Sequence, residues 1–217
     1  MDSSFTFFIS WSGGKDSCLA LYRAMQRGGK PLYLLTMMDE SGRISRSHHI
    51  PLSVLQSQSD SLGVPLLVRS SLWETYEEVF SNTLKELKGN GIDSGVFGDI
   101  DLEEHRAWNQ KVCSANNITD IHPLWQIDRT TILKNFLEAG FQATIVAAKD
   151  NCLSPIFLGR SINNSTIAEI ESLGLDACGE NGEFHTIVTD GPLFSYPINL
   201  SCSEKTLHDG YWFLNPS

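Results

Sequence analysis

The sequence predicts an α/β fold built on a parallel sheet, and three observations carry that expectation. Short apolar runs alternate with longer amphipathic stretches through the first half, as β-α units require. A glycine-containing polar cluster, Ser12-Gly13-Gly14-Lys15-Asp16-Ser17, separates the first apolar run from the first amphipathic stretch. Beyond Pro123 the alternation gives way to helices mixed with short strand-like runs. The expected division is an α/β unit over residues 1–117 and a smaller α+β portion over 118–217.

The elements follow from the periodicity. Phe5 to Ile9 reads as a first strand, and Asp16 to Arg27 as a helix with Cys18, Leu19, Leu21, Tyr22 and Met25 at helical spacing. Gly28-Gly29 ends it. Pro31 to Met38 is the second strand. The segment Asp39 to His49 is too hydrophilic to be buried. Pro51 to Leu62 reads as a helix opened by proline, Val64 to Val68 as the third strand, and Trp73 to Leu87 as a helix. Asp93 to Phe97 is the fourth strand, and Leu102 to Asn116 the helix after it. Helices are expected again from Arg129 to Ala139 and from Asn163 to Leu173, on either side of an apolar run, Phe141 to Ala148. Phe184 to Phe213 reads as short strands broken by Asp190-Gly191-Pro192 and Asp209-Gly210.

Composition narrows the class. The chain has 217 residues, 41% hydrophobic and 19% charged, the mix of a soluble globular protein that can build a core without staples. A net charge of −10 argues against broad electrostatic binding to nucleic acid. No run of about 18 apolar residues is present to span a membrane. The N-terminus has no basic start or long apolar core, so no signal peptide is expected. Five scattered cysteines without a C-x-x-C pair point to a reducing cytoplasm and to structural thiols.

The cluster between strand and helix carries the chemistry. Gly13 and Gly14 let the backbone turn and approach an anion, and the amides opening the following helix point at it. Ser12 and Ser17 add hydroxyl donors, and Lys15 neutralises phosphate. Asp16 repels phosphate on its own, which makes it a Mg²⁺ ligand beside phosphate oxygens. The pattern is neither G-x-x-x-x-G-K-[ST] nor G-x-G-x-x-G. The bland alternative is a tight turn capping a helix.

Ser-Gly-Gly-Lys-Asp-Ser after an N-terminal strand resembles the PP-loop of the ATP pyrophosphatases. That resemblance implies a doubly wound parallel sheet of the adenine nucleotide α-hydrolase type. It also implies attack on the α-phosphorus of ATP, giving an adenylate and pyrophosphate. Further segments are similar to the diphthine–ammonia ligase family: Gly98-Asp99-Ile100, Arg106, Val112-Cys113, Pro123-Leu124-Trp125, Leu158-Gly159-Arg160, Cys178 to Thr186, and Asp190 to Phe194. The family resemblance implies adenylation of a carboxylate and displacement of AMP by ammonia, with diphthine on the translocating elongation factor as acceptor. ATP and Mg²⁺ are the implied cofactors. The tail after Phe194 matches nothing in the family pattern. Free ammonia is expected, because the chain leaves no room for a glutaminase domain.

Other residues are read with their alternatives. In Gly179 to Thr186, two glycines allow a turn near a ligand, and Glu180, Glu183 and His185 could bind ammonium, take its proton or complete Mg²⁺ coordination. By residue types alone, a solvated acidic loop is the favoured reading; the resemblance favours a role towards substrate. Gly98-Asp99 ends the fourth strand at the carboxyl edge, where ligands of open sheets bind. Asp99 there serves Mg²⁺ or the ribose, or caps the next helix. Backbone groups at Thr36, Met37 and Met38 could meet adenine, or the methionines pack in the core. His48-His49 reads as part of a lid or as a surface pair. Arg160 holds an anion or forms an exposed salt bridge, and Trp11, Trp108 and Trp125 are read as packing. Beyond the amide ligase, the rival functions are a tRNA-modifying adenylating enzyme and a non-catalytic nucleotide sensor.

Overall fold

Residues Phe7, Phe8 and Ile9 are wholly buried in succession, the signature of a strand covered on both faces. In the computed structural model, which describes residues 5–216 without the side chains of 202, 203, 215 and 216, they lie in β1 (Phe5–Ser10). β1 pairs in parallel with β2 (Gly29–Met38) on one side and β4 (Ser94–Val96) on the other. β3 (Leu66–Ser70) and β5 (Thr119–Ile121) complete the sheet in the order β3-β2-β1-β4-β5. The helices between them are α1 (Lys15–Gln26), α2 (Leu52–Leu62), α3 (Tyr76–Gly89) and α4 (Glu103–Ala115).

Alternation along β1 sorts these helices onto two faces. Phe7 and Ile9 pack with Leu19, Leu21, Val54 and Leu55 of α1 and α2. Phe8 faces the other way, into Phe80, Leu84, Val112 and Cys113 of α3 and α4. The sheet is therefore doubly wound, as expected. The chain leaves β1 towards β2 and β3, then returns to β4 on the far side. Beyond the carboxyl ends of β1 and β4 that reversal opens a crevice, the place where such sheets hold ligands.

The second half forms a four-stranded antiparallel sheet in the order β7-β6-β9-β8. Its strands are β6 (Gln142–Lys149), β7 (Phe184–Asp190), β8 (Cys202–His208) and β9 (Tyr211–Pro216). α5 (Arg129–Glu138) and α6 (Asn164–Ser172) accompany it. Ala143, Ile145, Val188 and Leu214 belong to the same buried cluster as Phe7, so one core runs across both sheets. Among the described residues no helix is long and apolar enough to cross a membrane.

Three sequence expectations change. β5 escaped the reading because its Thr-Asp-Ile is only half-buried and too short for a pattern. The helix expected from Trp73 begins at Tyr76, leaving Leu72 and Trp73 exposed in the preceding turn. The segment from Asp39 to His49 is not merely a solvated loop. Ser45 is buried, and isolated bridges pair Met38 with Ser45 and Ile44 with Pro51. Asp39 accepts hydrogen bonds from Ser41 and from the Arg43 amide, so the polar groups of the segment satisfy one another.

Candidate active site

The loop after β1 is shaped by a cross-connection to the second sheet. Gly13 sits at φ +78°, a backbone conformation that side chains disfavour, and a Cβ there would lie 2.7 Å from Gln58 Oε1. Its carbonyl accepts from the Gln58 side chain at 2.9 Å and from the Val188 amide at 2.9 Å. The Lys15 amide donates to Thr186 Oγ1 at 3.1 Å. Gly14 occupies the cap position of α1 without a side-chain hydrogen bond, and with the Lys15 amide held by Thr186 it is the Asp16 and Ser17 amides of the first turn that can meet a ligand. Ser12 and Ser17 share a hydroxyl hydrogen bond of 3.0 Å.

This loop forms one wall of a cavity of about 710 Å³ at the carboxyl edge of the parallel sheet. Ser12, Gly14, Lys15, Asp16 and Ser17 line it, and Glu180, Gly182, His185 and Thr186 face them from the second half. The Lys15 ammonium is buried, 2.6 Å from Asp16 Oδ2 and 3.8 Å from Glu180 Oε1. Burial disfavours its charge, but Asp16, Cys178 and Glu180 outweigh that and hold the ammonium above its ordinary range. Burial also raises the Asp16 carboxyl, against the pull of Lys15. Glu180 is pushed up to about 7, first by burial and then by the negative charge of Asp16.

The donor set fits a hard cation. Ligand atoms of Asp16, Cys178 and Glu180 lie within 4.8 Å of one another, and Asp16 Oδ1 is buried with no hydrogen-bond partner. Two carboxylates suit Mg²⁺ with phosphate oxygens. The Cys178 thiol is pushed up to about 12 by burial, which keeps it protonated and contributes little to such a site.

The block from Cys178 to Thr186 is framed by side chains behind it. Arg129 reaches Asp101 at 2.7 Å and Asp176 at 2.6 Å. Asp176 in turn accepts from the amides of Cys178 and Glu180. Glu183 does not line the cavity. It is 5% exposed, and its carboxylate accepts from the Asn181 amide at 3.1 Å and the Asn181 side chain at 3.0 Å. Its place is thus within the frame of the turn. His185 does line the cavity, with its ring 4.6 Å from that of His48 and stacked on Tyr211 at 5.6 Å. Burial, with Lys15 nearby, lowers His48 to about 4 and His185 well below its ordinary value. Both rings are neutral at pH 7, and His185 is a weak base.

At the other end, Gly98 follows β4, and a Cβ there would lie 3.0 Å from the backbone at Asp16 and Ser17. Asp99 lines the cavity and does not cap α4; Leu102 holds the cap position. Asp99 instead accepts from Asn109 Nδ2 at 2.8 Å, beside His105 at 3.6 Å and His122 at 3.7 Å. The sequence reading missed Asn109 and His105. Their signal was a spacing of one helical turn on α4, which presents both to the strand end. Trp108, read as packing, both packs on Phe80 and lines the cavity.

Met37 lies outside the cavity wall. It is buried with Phe8, Leu35 and Phe80, and its carbonyl accepts from the Arg46 amide at 3.0 Å, so the core alternative is the observed one. Arg160 forms the exposed pair, 2.6 Å from Glu169.

The chain matches the family model for the diphthamide synthase N-terminal domain over residues 6–119 and that for the C-terminal domain over 128–215. The second match includes the tail after Phe194, which the sequence pattern alone had left unplaced. The chain is 24% identical to diphthine–ammonia ligase of Rattus norvegicus, over 91% of this chain and 83% of the relative. It is 25% identical to the same-named protein of Danio rerio, over 91% and 87%. A solved structure of a predicted subunit of tRNA methyltransferase from Methanocaldococcus jannaschii aligns with TM-score 0.48 and 18% identity, over 85% of this chain and 96% of that one. The chain belongs to the diphthamide synthase family.

Proposed function

We propose that the protein adenylates a carboxylate and that ammonia then displaces AMP, with diphthine on the translocating elongation factor as the acceptor. The observation that carries this reading is the buried Lys15 beside partly buried Asp16 and Glu180 at the start of α1, opening into a cavity large enough for two substrates. The Lys15 ammonium and the Asp16 and Ser17 amides of α1 hold the β- and γ-phosphates, which leave together as pyrophosphate. Asp16 and Glu180 would hold Mg²⁺, which when bound neutralises charge gathering on the departing group. The neutral His185 ring offers the acceptor or the adenylate a hydrogen bond. The relatives named diphthine–ammonia ligase support the choice of acceptor and of ammonia. The free thiols Cys18, Cys113 and Cys178 suit a cytoplasmic address.

Attack at the α-phosphorus must leave AMP, whereas attack at the γ-phosphorus would leave ADP. Incubation with α-labelled ATP, Mg²⁺, ammonium and the elongation factor bearing diphthine is therefore expected to yield labelled AMP. Labelled ADP would discard the mechanism. Turnover with a different carboxylate only would keep the mechanism and discard the acceptor.

A further inference from the structure

The charges of the cavity are segregated. Lys15 is the only lysine or arginine among its described lining residues, and it is committed to Asp16 and Glu180. Asp99 therefore faces the same space without a permanent cation. Its ion-pair neighbours among the described residues are two imidazoles, His105 and His122. Tyr76 and Trp108, which also line the cavity, have rings 5.6 Å apart. A carboxylate in a cavity with aromatic walls and no fixed countercharge is an arrangement that attracts a small cation.

We propose that Asp99 receives the ammonium ion and that His105 takes the proton which ammonium must lose before it can attack. This assignment rests on the amide-ligase reading above and names the residues that handle its second substrate. His122 lies beside Asp99. Its side chain is 5% exposed, its ring lies against Phe97 at 5.4 Å, and neither ring nitrogen has a hydrogen-bond partner. Nδ1 is 3.7 Å from Asp99 and Nε2 is 3.2 Å from Asp120, so the ring lies between the two carboxylates.

His105 is suited to its task where His185 is not. Its side chain is 64% exposed, which gives the proton a path to solvent. The Asp99 carboxylate 3.6 Å away raises its proton affinity, aided by the charges of Glu180 and Glu104, whereas burial depresses that of His185. In the step, the N–H bond of ammonium breaks and its proton goes to His105. The freed lone pair forms the C–N bond at the acyl carbon. The C–O bond to AMP then breaks, AMP leaves as its phosphate anion, and a second proton leaves the nitrogen to water.

Hydroxylamine separates this role from a nucleotide role, because it is largely neutral at pH 7.5 and needs no ammonium site. With the elongation factor as acceptor, Asp99→Asn is expected to raise the KM for ammonium at least tenfold. Hydroxylamine-dependent AMP release and acceptor-dependent exchange of labelled pyrophosphate into ATP should change by less than threefold. His105→Gln should lower kcat with ammonium and abolish the acid limb of its pH profile, again sparing hydroxylamine. If Asp99→Asn slows both nucleophiles equally or removes exchange, Asp99 serves the nucleotide and the proposal falls. Absence of ammonium-dependent AMP release from the wild-type protein would overturn the ligase reading, and this assignment with it.

Discussion

The loop from Ser12 to Ser17 and the block from Cys178 to Thr186 face each other across one cavity, yet they keep their shapes by different means. The first is set by backbone geometry. Gly13 takes the left-handed turn, Gly98 lets β4 approach within contact of Asp16 and Ser17, and α1 starts uncapped. The second is set by side chains that never reach the cavity: Arg129, Asp176 and Glu183 hold its amides from behind. In the loop nearly every motif residue faces the ligand space, whereas in the block the motif mixes facing residues with framing ones. A motif residue's identity alone therefore does not reveal which kind it is. Chemistry in the loop and scaffolding in the block should fail differently when mutated.

The largest effect is expected at Lys15. Lys15→Ala removes a charge-assisted phosphate contact, worth about 1.5–3 kcal/mol, or roughly ten- to more than a hundredfold in affinity for Mg·ATP. Asp16→Ala should chiefly damage Mg²⁺-dependent turnover. Calorimetry showing wild-type Mg·ATP affinity in both variants would remove the loop from the nucleotide site. Glu183→Gln should behave in the opposite manner. Two N–H groups of Asn181 point at its carboxylate, and an amide can accept only one of them without presenting its own NH₂ to the other. Stability should fall by about 1–3 kcal/mol, with Mg·ATP affinity nearly unchanged. An unaltered melting temperature with a large loss of kcat would mean that Glu183 reaches the substrate.

An effect of intermediate size tests the imidazoles of His48 and His185, whose rings meet at the cavity. The folded-state values of His48, about 4, and of His185 lie below the ordinary 6.5, so the unfolded chain binds protons first as the pH falls. Their contribution to stability is complete above about pH 6.5 and is lost progressively towards pH 4. Glu180, raised to about 7, acts with the opposite sign between its ordinary 4.5 and 7. The difference between wild type and His48→Asn isolates the imidazole. Allowing for the partial exposure of the residue, it should amount to on the order of 2 kcal/mol between pH 7 and pH 4. Parallel melting curves for the two proteins across that range would show that the ring is not held neutral.

Most of the parallel sheet was legible because apolar runs such as Phe5 to Ile9 and Pro31 to Met38 have only one way to be covered on both faces. The loop was legible because its chemistry lies in six consecutive residues. The Asp99 neighbourhood was not. Asn109 and His105 meet Asp99 only through the packing of α4 on the strand end, and His122 arrives from β5, which was itself too short to recognise. The bond between Lys15 and Thr186 spans the whole fold, so no local pattern could announce it. Glu183 differs from its motif neighbours in that its carboxylate is buried and accepts from Asn181 rather than lining the cavity.

That bond between Lys15 and Thr186 also supplies the smallest and most specific test of the comparison, because it is where the loop and the block touch. Thr186 Oγ1 accepts the Lys15 amide at 3.1 Å, and the residue is 5% exposed. Thr186→Val keeps the volume but leaves the buried amide without its partner, at a cost of about 1 kcal/mol or somewhat more. Thr186→Ser restores the acceptor and gives up one methyl group, so it should recover most of the hydrogen-bond contribution. If the contact serves only to join the two sheets, both variants will track stability, and Mg·ATP affinity at a temperature well below melting will be unchanged. If it also fixes the first turn of α1 for phosphate, Thr186→Val will weaken Mg·ATP about five- to tenfold while Thr186→Ser stays near wild type. We expect the second pattern, since the amide in question belongs to Lys15 itself. Equal affinities in all three proteins would confine the block to substrate positioning and leave nucleotide binding to the loop alone.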